Sequence, residues 1–122
     1  STDVKIFFAA TSAKNYTLRL IDASHLIFQQ VTIEGTGTSY CRVVDFSEGN
    51  ENIRFFNCRF IGKTTGSTSG NRSLLYAYPQ SIPSNNIHIS MCRFEKGAAG
   101  VDVSAKYNNN GQGVCRQTKM NF

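Results

Sequence analysis

With 122 residues, 40% of them hydrophobic and including nine Phe and five Tyr, the chain is stocked for one folded domain over residues 1–122, which excludes wholesale disorder. Its longest apolar runs, such as Ile6 to Ala10, are far too short to span a bilayer, so no membrane insertion is expected. The net charge of +5 comes from thirteen Lys and Arg scattered among eight Asp and Glu, a bias that permits an acidic polymer as partner but lacks the basic-aromatic pattern of a nucleic-acid binder.

Val4 to Ala10, VKIFFAA, reads as a first strand, and Leu18-Arg19-Leu20 as a second. SHLIFQQVTIEG follows, with apolar residues at Leu26, Phe28, Val31 and Ile33. A spacing of two within each pair is that of a strand with one buried face, and the spacing of three between the pairs breaks the alternation at Gln29-Gln30. The unit is therefore two short strands joined at a tight corner. Val44-Asp45-Phe46 repeats the short strand, and NENIRFFNCRFIG repeats the cornered unit with Ile53, Phe55, Cys58 and Phe60 in the same places. Asn57 suits its corner because Asn tolerates left-handed backbone angles. Leu75-Tyr76-Ala77 and NNIHISMCRFEKG repeat both again, with Ile87, Ile89, Cys92 and Phe94, and Val101-Asp102-Val103 starts another round. The chain's last stretch, CRQTKMNF, reads as a strand cut short.

The short strands lie 26, 31 and 26 residues apart and the cornered units 27 and 34, so the two series advance together. The extra residues fall in one polar loop, GTGTSYCR in the first interval and GKTTGSTSGNR in the second. Three strands per round, apolar residues in register and no helical period describe an all-β parallel β-helix, a solenoid of about four to five coils of three short strands. In it Ile53 stacks on Ile87, Cys58 on Cys92 and Phe60 on Phe94. A β-sandwich of short strands is the competing fold, but hairpin pairing gives no reason to repeat Cys-Arg-Phe at one corner. No amphipathic helix covers either end, so the ends are expected to be uncapped. They should meet further coils of a longer chain, a covering partner, or a second copy.

TLRLIDASHLIFQQVTIEGTGTSYCRVVDFSEGNENIRFFNCRFIG, then STSGNRSLLYAY and NNIHISMCRFEKGAAGVDV, resembles the right-handed parallel β-helix repeat family. Within it the phrasing is similar to repeat regions of secreted or surface proteins of Bacteroidetes, over about Tyr16 to Val103. The resemblance implies an extracellular or cell-surface setting rich in glycans. No export signal is legible at the start of the chain, so any such signal is expected to have been removed or to lie upstream.

Cys58 and Cys92 share one inward column, where they form either a ladder of buried thiols or a disulfide. The four cysteines, 17, 34 and 23 residues apart, match no zinc-ligand spacing, and no metal or other cofactor is expected. Arg59 and Arg93 repeat on the outward face, with Glu34 and Glu95 near enough along the chain to answer part of their charge; otherwise they would hold an anionic glycan with paired hydrogen bonds. Arg19, Asp45, Tyr76 and Asp102 alternate with the buried column of the short strands and should form one outward row. The resemblance implies that β-helix enzymes work along such a sheet. Asp45 and Asp102 would lie roughly 10 Å apart, close to the carboxylate separation of about 6.5 to 9.5 Å in inverting glycosidases. Because the outward positions vary freely from coil to coil, no catalytic residue is assigned. The expected function is a structural or adhesive segment that touches polysaccharide or cell-surface glycan. The alternatives are a fragment of a lyase or glycoside hydrolase, or a tailspike-like receptor binder.

Overall fold

The computed structural model describes residues 4–63, 73–77 and 84–97, with backbone strands at 101–103, 107–109 and 113–120. Among these residues the protein is all-β, and its strands pair mostly in parallel. The short strands β2 (Leu18–Leu20), β5 (Val44–Phe46), β8 (Leu75–Ala77) and β10 (Val101–Val103) stack side by side, all parallel, with Leu18, Val44, Leu75 and Val101 in one register.

The cornered units form the second sheet. Strand β3 (Ser24–Gln29) lies on β6 (Glu51–Phe56), which lies on the first half of β9 (Asn85–Glu95). Strand β1 (Val4–Phe8) lies on β4 (Val31–Gly35), β4 on β7 (Arg59–Ile61), and β7 on the second half of β9. The repeated phrase therefore returns to the same place on each pass: Ile53 faces Ile87 and Phe60 faces Phe94 in parallel register.

The expected corner is one left-handed residue, Gln30, Asn57 or Met91 with φ between 53° and 55°, and a second left-handed residue recurs near the start of each copy at His25, Asn52 and Asn86. The positive φ at the corner turns the side-chain alternation over, so apolar residues three apart both point inward. Gly35 and Gly62 close the third strand because there is no room for a side chain there. A Cβ would lie 2.8 Å from the Cys41 sulfur in one case and 2.8 Å from a Leu74 methyl in the other.

The inward columns merge into one core containing Ile33, Phe46, Ile53, Phe55, Phe60, Leu75, Ile87 and Ile89, all buried. Phe55 stacks on Phe28 at 4.9 Å between ring centroids and meets Phe60 edge-on at 5.3 Å, while Phe60 stacks on Phe94 at 5.2 Å. Stacking of like on like within each column is what a parallel pairing with matched register enforces.

The two sides of the sheets differ. Strands β1, β2 and β3 each have a strand neighbour on one side only among the described residues, and Val4, Phe7, Leu26 and Ile27 are exposed there. The opposite side departs from the uncapped end expected from the sequence. Strand β11 (Tyr107–Asn109) turns back antiparallel on β10, and β12 (Gly113–Met120) runs eight residues antiparallel along β9, where only a truncated strand was expected. Three residues separate β10 from β11, too few for the crossover that a parallel return requires, so the chain can only double back. The loop at 64–72, the polar tract around 110–112 and the side chains of Asp102 and Cys115 lie outside the described residues.

Candidate functional site

The outward row of the short strands is built as the alternation predicts: Arg19 pairs with Asp45, Asp45 with Tyr76, and the Asp102 backbone with Tyr76. Asp45 nevertheless sits only 1% exposed although it faces away from the core. Its cover comes from the segments that lead into β2 and β5. The Leu18 N–H donates to the Val43 carbonyl at 3.0 Å, and the Arg42 N–H donates to the Asn15 side-chain oxygen at 3.1 Å. These bonds lay residues 15–17 beside 42–43 and carry Tyr16, Tyr40 and Arg42 over the row.

Asp45 Oδ2 meets Arg19 Nη2 at 3.5 Å, while Asp45 Oδ1 is buried with no hydrogen-bond partner among the described residues. The Arg42 guanidinium lies over the Tyr76 ring at 3.6 Å from its centroid, and the Arg19 guanidinium over Tyr16 at 4.8 Å. Asp45, Arg19, Arg42, Tyr16, Tyr40 and Asn15 line a cavity of about 140 Å³. Burial pushes the Asp45 carboxyl above the usual carboxylate range, against the pull of Arg19 and then Arg42.

That shift has a measurable sign. At acid pH both folded and unfolded chains carry the neutral acid. As pH rises past about 4 the unfolded chain releases the proton first, so the native state binds more protons and loses stability until Asp45 itself ionises. The unfolding free energy of the native chain should therefore fall relative to that of Asp45→Asn as pH rises from about 4. Urea titrations at a series of pH values read this, and a difference that stays flat with pH would contradict the assignment.

Arg59 and Arg93 stand in register on the other sheet, away from this cavity. Arg59 is held by Glu95 through two hydrogen bonds, Nε to Oε2 at 2.8 Å and Nη2 to Oε1 at 3.1 Å, which lowers the Glu95 carboxyl and raises the Arg59 guanidinium. Glu34 is engaged by Lys5 at 3.1 Å. A shallow groove of about 310 Å³ runs beside Arg59 and Arg93, flanked by Asn57 and Met91.

Cys41, Cys58 and Cys92 are buried, and no disulfide joins them to one another. Cys58 donates to the Phe28 carbonyl at 3.3 Å and Cys92 to the Ser90 carbonyl at 3.2 Å, and the neighbouring Cys92 lowers the Cys58 thiol to about 7 while burial pushes it up. Backbone register sets Cys115 opposite Cys92, a neighbour that the repeat spacing does not reveal. On the outer face of β3, β6 and β9, His25 lies 3.4 Å from the Asn52 amide, and His88 occupies the next row, beside Arg54.

The sequence reading named Arg19, Asp45 and Tyr76, which the fold brings together, and missed Tyr16, Tyr40, Arg42 and Asn15. Those four lie outside the strands, where no periodicity marks a facing side. Compared with family models, curated proteins and solved structures, the chain matches none.

Proposed function

We propose that the chain is a segment of a right-handed parallel β-helix of four to five coils, acting outside the cell as a rigid, non-catalytic surface that touches glycan. The observation that carries this reading is the contrast between faces. Inward columns repeat the same apolar types in register, while the outward row changes from Arg19 to Asp45 to Tyr76. Tyr16, Tyr40 and Arg42 laid over that row add further unlike polar and aromatic groups on a core that keeps them rigid, and a surface of that kind suits a polymer of repeating sugars. The edges of β1, β2 and β3 that have no strand neighbour among the described residues are where a further coil or a second copy would add strands.

The alternative is a fragment of a carbohydrate-active enzyme, favoured by one observation: Asp45 is a buried acid held above its ordinary range within a polar cavity. Incubation with a panel of neutral and anionic polysaccharides separates the two. The leading reading expects retention on at least one immobilised polymer with no new reducing or unsaturated ends. Release of such ends replaces it with the enzyme reading, and retention on none removes the glycan role.

A further inference from the structure

Cys92 has a cysteine in the strand on each side of it. On the side of β7, the Arg93 N–H donates to the Cys58 carbonyl at 2.9 Å, so Cys58 and Cys92 are neighbours across a parallel pair. On the side of β12 the pairing is antiparallel, and the register sets Val114 opposite Arg93, Cys115 opposite Cys92 and Gln117 opposite Ser90.

The two arrangements are not equivalent for sulfur. A disulfide has an approximate two-fold axis through its S–S bond, with the central dihedral near ±90°. Residues directly opposite in antiparallel strands are related by an axis of that kind and share a face of the sheet. Their Cα atoms lie about 4.5 or 5.5 Å apart, inside the range of about 4.4–6.8 Å for bridged pairs. In-register residues of parallel strands are related instead by a translation of about 4.8 Å. That leaves their Cα–Cβ bonds parallel and their Cβ atoms about as far apart, beyond the ~3.5–4.5 Å that a bridge needs. The thiols of Cys58 and Cys92 follow the translation. Each is directed at a carbonyl two residues back on its own strand, Phe56 at 3.5 Å and Ser90 at 3.2 Å, and at one on the preceding pass, Phe28 at 3.3 Å and Phe55 at 3.5 Å.

We propose that Cys92 and Cys115, set opposite each other where β12 runs back along β9, join in a disulfide that fastens β12 to the coils, while Cys58 stays a thiol. The bond would close a loop between two cysteines 23 residues apart that contains β10 and β11, so it ties down the whole returning end of the described fold. It forms where the surroundings are oxidising, as outside the cell, and it does not depend on whether any glycan binds. With glutathione disulfide as oxidant, the thiolate of one cysteine attacks a glutathione sulfur and releases one glutathione thiolate. The thiolate of the other cysteine then attacks the protein sulfur of the mixed disulfide and releases the second. Two electrons pass from the cysteines to glutathione disulfide, and the two released thiolates take up the two protons that the cysteines lose. Cys58 is the competing nucleophile, because Cys92 lowers its thiol to about 7.

The test refolds the whole, fully reduced chain from urea in a mixture of reduced and oxidised glutathione, alkylates it with N-ethylmaleimide and digests it with trypsin without reduction. Cleavage after Lys and Arg puts the four cysteines on four different peptides, so mass spectrometry reads the pairing directly. The peptides of Cys92 and Cys115 should be joined, and those of Cys41 and Cys58 alkylated. Reducing the bond should lower the thermal midpoint by roughly 10 °C, the loss for opening a loop of this length in a domain of this size. Cys115→Ser should abolish both the joined peptide and the drop, whereas Cys58→Ser should keep both. The native chain carries the pairing and the midpoint on its own, so a variant that fails to fold leaves the test intact. A joined Cys58–Cys92 peptide, four alkylated cysteines in the folded chain, or a Cys92–Cys115 bond whose reduction leaves the midpoint unmoved would each overturn the proposal.

Discussion

Phe60→Ala should lower the free energy of unfolding by about 3–5 kcal/mol, the range for removing a fully buried aromatic side chain. Phe60 is 0% exposed, stacks on Phe94 at 5.2 Å, meets Phe55 edge-on at 5.3 Å and faces Ile33 on the preceding pass. Ordinarily some of the loss is recovered when neighbours move into the vacated space. Here strands on both sides are held by parallel hydrogen bonding at a spacing of about 4.8 Å, so the walls cannot close and the cost should fall in the upper part of the range. Domains of this size have total stabilities of about 5–15 kcal/mol, so the variant keeps only a fraction of its stability. At about 4 °C per kcal/mol, its thermal midpoint should drop by more than 10 °C. Phe56→Ala is the control. Four residues away, Phe56 is 40% exposed and leaves no closed cavity, so its loss should cost only about 1–2 kcal/mol. Equal midpoints for the two variants in a urea titration would mean that the column is not the core.

The Phe60 column was legible because periodicity and repetition agreed on it. Ile53 with Ile87 and Phe60 with Phe94 lie in the expected registers, since a repeated apolar position in a parallel sheet has to meet its own copy. The corner was legible at Asn57, whose residue type tolerates positive φ, but Gln30 and Met91 adopt the same angle without any such preference. There the geometry is imposed by the neighbouring pass, which no local rule detects. The row through Asp45 was legible, but its burial was not. Alternation assigns a side chain to a face and says nothing of what crosses that face, and the cover comes from Tyr16, Tyr40 and Arg42 on irregular segments. Strand β12 was out of reach for a related reason: it has no counterpart in the repeat, so its partner could not be found by comparing copies.

Asn50 is one of the most consequential polar groups among the described residues. It is 0% exposed and joins three passes of the chain. Its Oδ1 accepts the Ala23 N–H at 3.0 Å, while its Nδ2 donates to the carbonyls of Leu20 at 3.0 Å and Ser47 at 3.2 Å. Its own N–H donates to Ser84 Oγ at 3.2 Å, one pass further on. Ala23, Asn50 and Ser84 occupy the same place in successive copies, so the side chain of one pass satisfies the backbone of the pass before it. Asn50→Ala strands the Ala23 N–H in the interior and deprives two carbonyls of a donor, which should cost about 2–4 kcal/mol.

Asn50→Asp separates hydrogen bonding from packing, because the shape is nearly unchanged. The substituted carboxylate would keep the acceptor for Ala23 but turn its second oxygen, an acceptor, toward the Leu20 and Ser47 carbonyls. If the hydrogen bonds matter, Asn50→Asp should be at least as damaging as Asn50→Ala at neutral pH. Protonation restores an O–H donor at that oxygen, so the folded-state pKa of the new carboxyl lies above its unfolded value of about 3.9. The deficit should then shrink as pH falls through that raised pKa and be smallest below the unfolded one. Urea midpoints of the native chain, Asn50→Ala and Asn50→Asp at neutral and acid pH test the whole pattern. An Asn50→Asp chain as stable as the native one at neutral pH would show that Asn50 fills space rather than joining the passes.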